Sequence, residues 1–205
     1  METQLSVLAN IASDYLIAGK EPERRWGTAH PSVVPYQAFS CLDGKQIIVG
    51  AGNDLHFVKF CSVIGSESLA TDQRFRYNRD RVKNRKELIQ LIEDRMRTKN
   101  RSEWVEIFTI LNEFPFGPVR TVKESFTDEQ AIHRHMVTTV EHTRCGKISL
   151  VGSPAKFSRT PTSVRHPPPT LGEHTEDILK NILGYSTEHI VELVGKKVVD
   201  IVKCC

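Results

Sequence analysis

The sequence predicts an α/β fold, a small mixed domain followed by an extended strap and two closing helices, and three observations predict it. Two pairs of short apolar runs are each joined by a glycine-containing turn, at Asp43-Gly44 and near Cys145-Gly146, which is the pattern of antiparallel hairpins. Between them lie segments whose apolar residues recur at helical spacing and stop at glycine or proline. After the second pair comes a stretch from Pro154 to Pro169, containing Pro167-Pro168-Pro169, that favours extended backbone.

Taken in order, Leu5, Leu8, Ala9, Ala12 and Leu16 mark one amphipathic helix, with Gly19 as its stop before the polar run Lys20 to Arg25. Its apolar stripe calls for a covering surface that this sequence does not supply upstream. Strands follow at Val34 to Phe39 and Gln46 to Val49. Asp54 is the expected cap of a short helix that buries Phe57, Phe60, Cys61 and Ile64 and ends at Gly65. Asn84 is the expected cap of a helix carrying Leu88, Ile89, Leu91, Ile92 and Met96. A further helix opens at Ser102 and buries Trp104, Val105, Phe108 and Leu111. The run Phe114-Pro115-Phe116-Gly117-Pro118 cannot continue it, because proline lacks an N–H and restricts the residue before it. The second hairpin pairs Met136 to Val140 with Lys147 to Val151. Helices at Thr175 to Leu183, closed by Gly184, and at Thr187 to Val194 end the chain. The organisation read from these elements is a connecting helix and linker at 1–25, a small α/β domain at 26–153, and a strap with returning helices at 154–205.

Bulk properties exclude several classes. The 205 residues are 39% apolar and 26% charged, which suits a folded body in water and not a disordered chain. A net charge of +3, from 28 basic and 25 acidic residues, is too small to drive binding to a polyanion, and no apolar run is long enough to cross a bilayer. No partner of either kind, nucleic acid or membrane, is expected. The five cysteines follow neither a disulfide framework nor a metal clamp. His133, His135, His142 and Cys145 fit no zinc spacing, so no metal site is expected, and Cys204-Cys205 lacks the order of a lipidation signal.

Six local runs occur in an order that resembles family III CoA-transferases. They are His30-Pro31-Ser32-Val33-Val34-Pro35-Tyr36-Gln37-Ala38-Phe39, Asp43-Gly44 before an apolar strand, Gly52-Asn53-Asp54, Arg81 to Asn84, Phe116-Gly117-Pro118-Val119, and Pro168-Pro169-Thr170-Leu171-Gly172-Glu173-His174-Thr175. Trp26-Gly27-Thr28-Ala29-His30 is similar to the mitochondrial branch that moves CoA from succinyl-CoA to glutarate or hydroxymethylglutarate. The resemblance implies that this chain is the C-terminal half of such a protein. The Rossmann-like N-terminal half would be missing, and intact protomers would interlock as homodimers. It implies acyl-CoA and dicarboxylate substrates, with the CoA thioester as substrate and no resident cofactor.

The resemblance places the nucleophilic aspartate in the absent half, so no catalytic residue is assigned here. Asp43, Asp54, Asp72, Asp80, Asp94, Asp128, Asp177 and Asp200 all have turn, cap or solvated settings. What this half retains is the loop around Trp26 to His30, matching a glycine-rich flap of the family, of which only Gly27 remains. Arg25, Gly27 and His30 are its candidate substrate-binding residues, Arg24 lying beside them, because a distal carboxylate needs a cationic or N–H partner. Two other readings compete. One is a non-catalytic isoform that associates with a full-length protomer. The other rests on Arg74 to Lys86, seven basic residues against one acidic with Phe75 and Tyr77 between them, as a weak nucleic-acid surface.

Overall fold

The computed structural model describes residues 1–21 and 24–201, so Cys204 and Cys205 lie outside the described residues. Two compact units divide at Val119 and Arg120.

The first unit opens with α1 (Glu2–Ser6) and α2 (Ala9–Ala18), two helices where one was expected. At the break Leu8 N–H reaches back three residues to Leu5 O, where an unbroken α-helix would reach four. No residue of either helix is buried, so no packing bridges the weak point beside β-branched Val7. α2 closes at Gly19, as expected.

Strands β1 (Tyr36–Ser40) and β2 (Gln46–Gly50) form the first hairpin, with Phe39 opposite Ile47. Ile47 and Val49 are buried while Ile48 points outward, the period of two that a half-covered sheet requires. A third strand, β3 (Phe116–Pro118), pairs antiparallel with β2. The prolines of this segment predict a helix stop and no strand; Pro118 is tolerated in β3 because β3 is an edge strand.

Helices α3 (Asp54–Val63), α4 (Glu67–Thr71), α5 (Asn78–Lys83), α6 (Arg85–Met96) and α7 (Arg101–Leu111) complete the unit. The cap of α3 is Asn53, one residue before the expected one: its Oδ1 accepts the His56 N–H at 2.8 Å, which frees Asp54 for other partners. Asn84 stands at the start of α6 without capping it, since its amide donates to Arg74 O and Asp80 O. α7 starts under an Asn100–Glu103 capping box and buries Trp104 and Phe108, but Val105 is half-buried and Leu111 exposed. The chain turns at Asn112 and brings Phe114 back against Phe108 and Phe60, at 5.0 and 5.2 Å between ring centroids, and Phe114 fills the place expected of Leu111.

Phe39, Ile47, Val49, Phe57, Phe60, Phe75, Leu88, Ile92, Met96, Trp104 and Phe108 form one continuous core between sheet and helices. Each such side chain stabilises the unit by about 1.5–3 kcal/mol through apolar burial. Trp104 keeps its polar edge satisfied by donating from Nε1 to Met96 O at 2.8 Å.

The second unit contains α8 (Val122–Phe126), α9 (Glu129–His133) and the hairpin of β4 (Val137–His142) with β5 (Gly146–Val151). Apolar spacing predicts neither short helix; their caps are local, with Thr121–Glu124 forming a capping box and Asp128 Oδ1 accepting the Gln130 N–H. Pro154 to Pro169 has no helix or strand. α10 (Thr175–Asp177) runs on as a π-helical turn, Ile178–Ile182, and α11 (Thr187–Gly195) ends the described elements.

Candidate functional site

The loop from Trp26 to Val34 is set by its own sequence and tied down by its neighbours. Gly27 takes φ +62°, a left-handed value, in the turn where Ala29 N–H meets Trp26 O at 3.1 Å. Thr28 Oγ1 accepts the Ala38 N–H at 3.1 Å, and His30 N–H donates to Tyr36 O at 2.9 Å, so β1 holds this end. The other end rests on α5. Asn78 Oδ1 accepts the Val34 N–H at 3.0 Å and its amide donates to Ser32 O at 2.7 Å, while Arg81 Nε donates to Val34 O at 2.6 Å. Arg81 is fully buried, and its second anchor is the Asp54 carboxylate at 2.8 Å.

Between this loop and α5–α6 lies a groove of about 620 Å³ lined by Arg24, Arg25, Trp26, Lys83, Arg85 and Lys86, with Val82 and Ile89 as its apolar part. The Arg24 guanidinium stands 4.0 Å from the centre of the Trp26 ring and that of Arg85 stands 4.9 Å from it. Burial, and after it the charge of Arg24, hold the pKa of Arg85 below the usual arginine value. Glu93 is the acidic residue of the lining, and Arg97 already engages it at 3.7 Å. Among the described residues none of these five cations is paired with a carboxylate. The arrangement attracts anions, and a guanidinium matches a carboxylate in shape as well as charge.

Of the expected binding residues, Arg25 lines the groove and Gly27 shapes the loop beside it. His30 is exposed and outside the lining; its Nδ1 accepts the Ser32 N–H at 3.1 Å and its ring stacks on Tyr36 at 5.5 Å. Lys83, Arg85 and Lys86 were legible only as part of a basic run. Helical periodicity was the available signal, since Val82, Lys83, Lys86 and Ile89 recur at three- and four-residue steps. Eight aspartates are engaged locally, and Asp14 stands exposed on α2. Asp43 accepts Lys45 and Arg101 N–H groups, Asp72 pairs with Arg74, Asp80 with Arg79, Asp128 with Arg120, and Asp94 and Asp177 accept side-chain amides. No group of three or more potential metal-ligating side chains occurs among the described residues.

A second hollow, of about 430 Å³, gathers Tyr36, Gly52, Phe116 and Gly117 from three separate sequence motifs, together with His56. The His56 Nδ1 is buried and finds no hydrogen-bond partner among the described residues.

The sequence matches the profile described as CoA-transferase family III over residues 1–175. The chain belongs to CoA-transferase family III. Among relatives of this chain, the human succinyl-CoA:glutarate CoA-transferase is 40% identical over 200 residues, covering 98% of this chain and 45% of the relative. The succinate–glutarate CoA-transferase of Agrobacterium fabrum is 32% identical over 89% of this chain and 45% of its own. A crystal structure of a CaiB/BaiF family protein from Brucella suis superposes with a TM-score of 0.72 at 36% identity, covering 86% of the present chain and 45% of the Brucella one. The chain thus spans about half the length of the curated relatives it matches.

Proposed function

We propose that this chain supplies the acceptor-recognising part of a CoA-transferase that moves CoA from succinyl-CoA to glutarate or a similar dicarboxylate. The cationic groove beside the Trp26–His30 loop carries this reading: Arg25 is placed to meet the distal carboxylate while the loop shields the thioester end from water. His30 supports the loop and stays a candidate second contact. Residues 26–153 act as the small domain and 154–205 as the return to a Rossmann-like half supplied from elsewhere. The interlocked homodimer and the mitochondrial setting are proposed with the resemblance that implied them. Eight aspartates of this chain are engaged in local structure and Asp14 stands exposed on α2, so the purified chain, given succinyl-CoA and glutarate, is expected to form no glutaryl-CoA. Joined to the upstream half of the human relative, it is expected to do so. Arg25→Ala in that chimera should lower kcat/KM for glutarate ten- to hundredfold and leave acetate little changed, which follows from about 1.5–3 kcal/mol for a hydrogen bond to a charged group. An unchanged glutarate-to-acetate ratio would move the contact to the other half.

The exposed apolar residues along α1, α2 and the break between them, among them Leu5, Leu8, Ile11 and Leu16, favour a second reading, a non-catalytic partner of a full-length protomer. Co-purification of the chain with a tagged full-length relative, lost on Leu16→Glu, would support it.

A further inference from the structure

Arg85 is the side chain that joins the cationic groove to the loop. It is the first residue of α6; its Nη2 donates to Pro31 O at 2.6 Å while its guanidinium lies against Trp26, so it touches both ends of the Trp26–Pro31 segment. Arg24 occupies the same indole at 4.0 Å. Each cation is attracted by the ring, but the two repel each other, and Arg85 is half-buried where water screens that repulsion poorly. An anion seated between them relieves the repulsion and thereby stabilises the contact of Arg85 with Trp26 and Pro31. The cations come from two sources, Arg24 and Arg25 from the loop side and Lys83, Arg85 and Lys86 from the helices. That spread suits two separated negative charges better than one compact charge cluster.

We propose that Arg85 is a positioning residue that couples binding of a dicarboxylate in this groove to the set of the Trp26–Pro31 loop, with Lys83 and Lys86 holding the second carboxylate. This rests on the dicarboxylate reading above and adds to it a switch that the isolated chain itself can report. Trp26 is the reporter. The other tryptophan, Trp104, is buried in the core with its Nε1 bonded to Met96 O, out of reach of an anion in the groove.

The test is a fluorescence titration of the purified chain with glutarate, with acetate and inorganic phosphate as separate arms at matched ionic strength, and calorimetry in parallel. Glutarate is expected to give a saturable change that Trp26→Phe abolishes and acetate does not reproduce. Arg85→Gln should weaken glutarate binding about tenfold or more, as loss of a charge-assisted contact implies. Arg85→Lys keeps the charge without the fork that spans Pro31 and the ring, so it should retain binding to within about threefold and lose most of the Trp26 signal. That split is one a merely structural arginine would not give, and the lysine variant also guards against misfolding of the glutamine one. Lys83→Gln with Lys86→Gln should erase the preference for glutarate over acetate, whereas Lys180→Gln should not. Equal responses to glutarate and acetate, an Arg85→Gln variant that binds and signals as before, or a response to phosphate in place of glutarate would each overturn the proposal. If the chimera prefers glutarate while Trp26 ignores it, the coupling falls and the acceptor reading stands. If Trp26 responds but the chimera transfers no CoA to glutarate, the acceptor reading falls and the groove remains a dicarboxylate site.

Discussion

Replacing Arg81 by methionine should cost the first unit about 2–4 kcal/mol, and the structure shows where that figure comes from. The guanidinium donates to Val34 O at 2.6 Å, Phe75 O at 3.0 Å, Arg76 O at 3.2 Å and Asp54 at 2.8 Å, and it lies 4.3 Å from the centre of the Phe57 ring. Methionine keeps much of the apolar contact and removes every donor. The Asp54 side chain is 47% exposed, so it rehydrates and adds little. Arg76 is exposed, and water can replace the bond to its carbonyl. Val34 and Phe75 are both fully buried, which leaves two orphaned acceptors at about 1–3 kcal/mol each. Set against this, methionine escapes the desolvation of a cation, and the net falls in the stated range. Urea unfolding followed by Trp104 fluorescence measures it. Asp54→Asn retains an oxygen for Arg81 Nη2 and the Asn78 N–H, so its loss should be about 1 kcal/mol. An Arg81→Met variant within about 0.5 kcal/mol of the parent would refute the argument that these carbonyls depend on it.

Gly152→Ala should destabilise the second unit by about 1–3 kcal/mol, because an added Cβ would stand 2.2 Å from the backbone oxygen of His135; thermal unfolding checks it, and an unchanged melting point would show that the contact yields freely. Burial pushes the Cys61 thiol from 9.0 up to about 12, and burial with the charge of Asp43 takes Cys41 from 9.0 to about 11. Both folded values exceed the unfolded one, so their contribution is complete below about pH 8.5 and is lost as pH climbs toward the folded values. Urea midpoints should therefore fall above that point, less steeply in Cys61→Ala. Iodoacetamide mapping at pH 8 should find exposed Cys145 modified well before Cys41 or Cys61. Leu16, 78% exposed on α2, should drive self-association that Leu16→Glu reduces, as read by light scattering; a monomeric parent at micromolar concentration would count against the exposed stripe as a contact surface.

The sequence by itself determined the elements whose causes are local. Asp43-Gly44 and Cys145-Gly146 placed both hairpins, because a tight turn demands particular residues whatever surrounds it. The faces of α3 and α6 were legible in the spacing of Phe57, Phe60 and Cys61 and of Leu88, Ile92 and Met96. Family membership was legible from ordered motifs, and Arg25 and Gly27 were found beside the groove for the same reason. Tertiary structure decided what depends on distant neighbours. β3 is a strand because β2 offers it an edge, and Leu111 is exposed because Phe114 returns to take its place. Asp54 became the partner of a buried arginine 27 residues away once Asn53 took the cap. The groove itself exists because α5 and α6 carry Lys83, Arg85 and Lys86 to the loop of Arg24, Arg25 and Trp26, and only the packing of α6 on β1, with α5 against α6, turns a basic run into the wall of a groove.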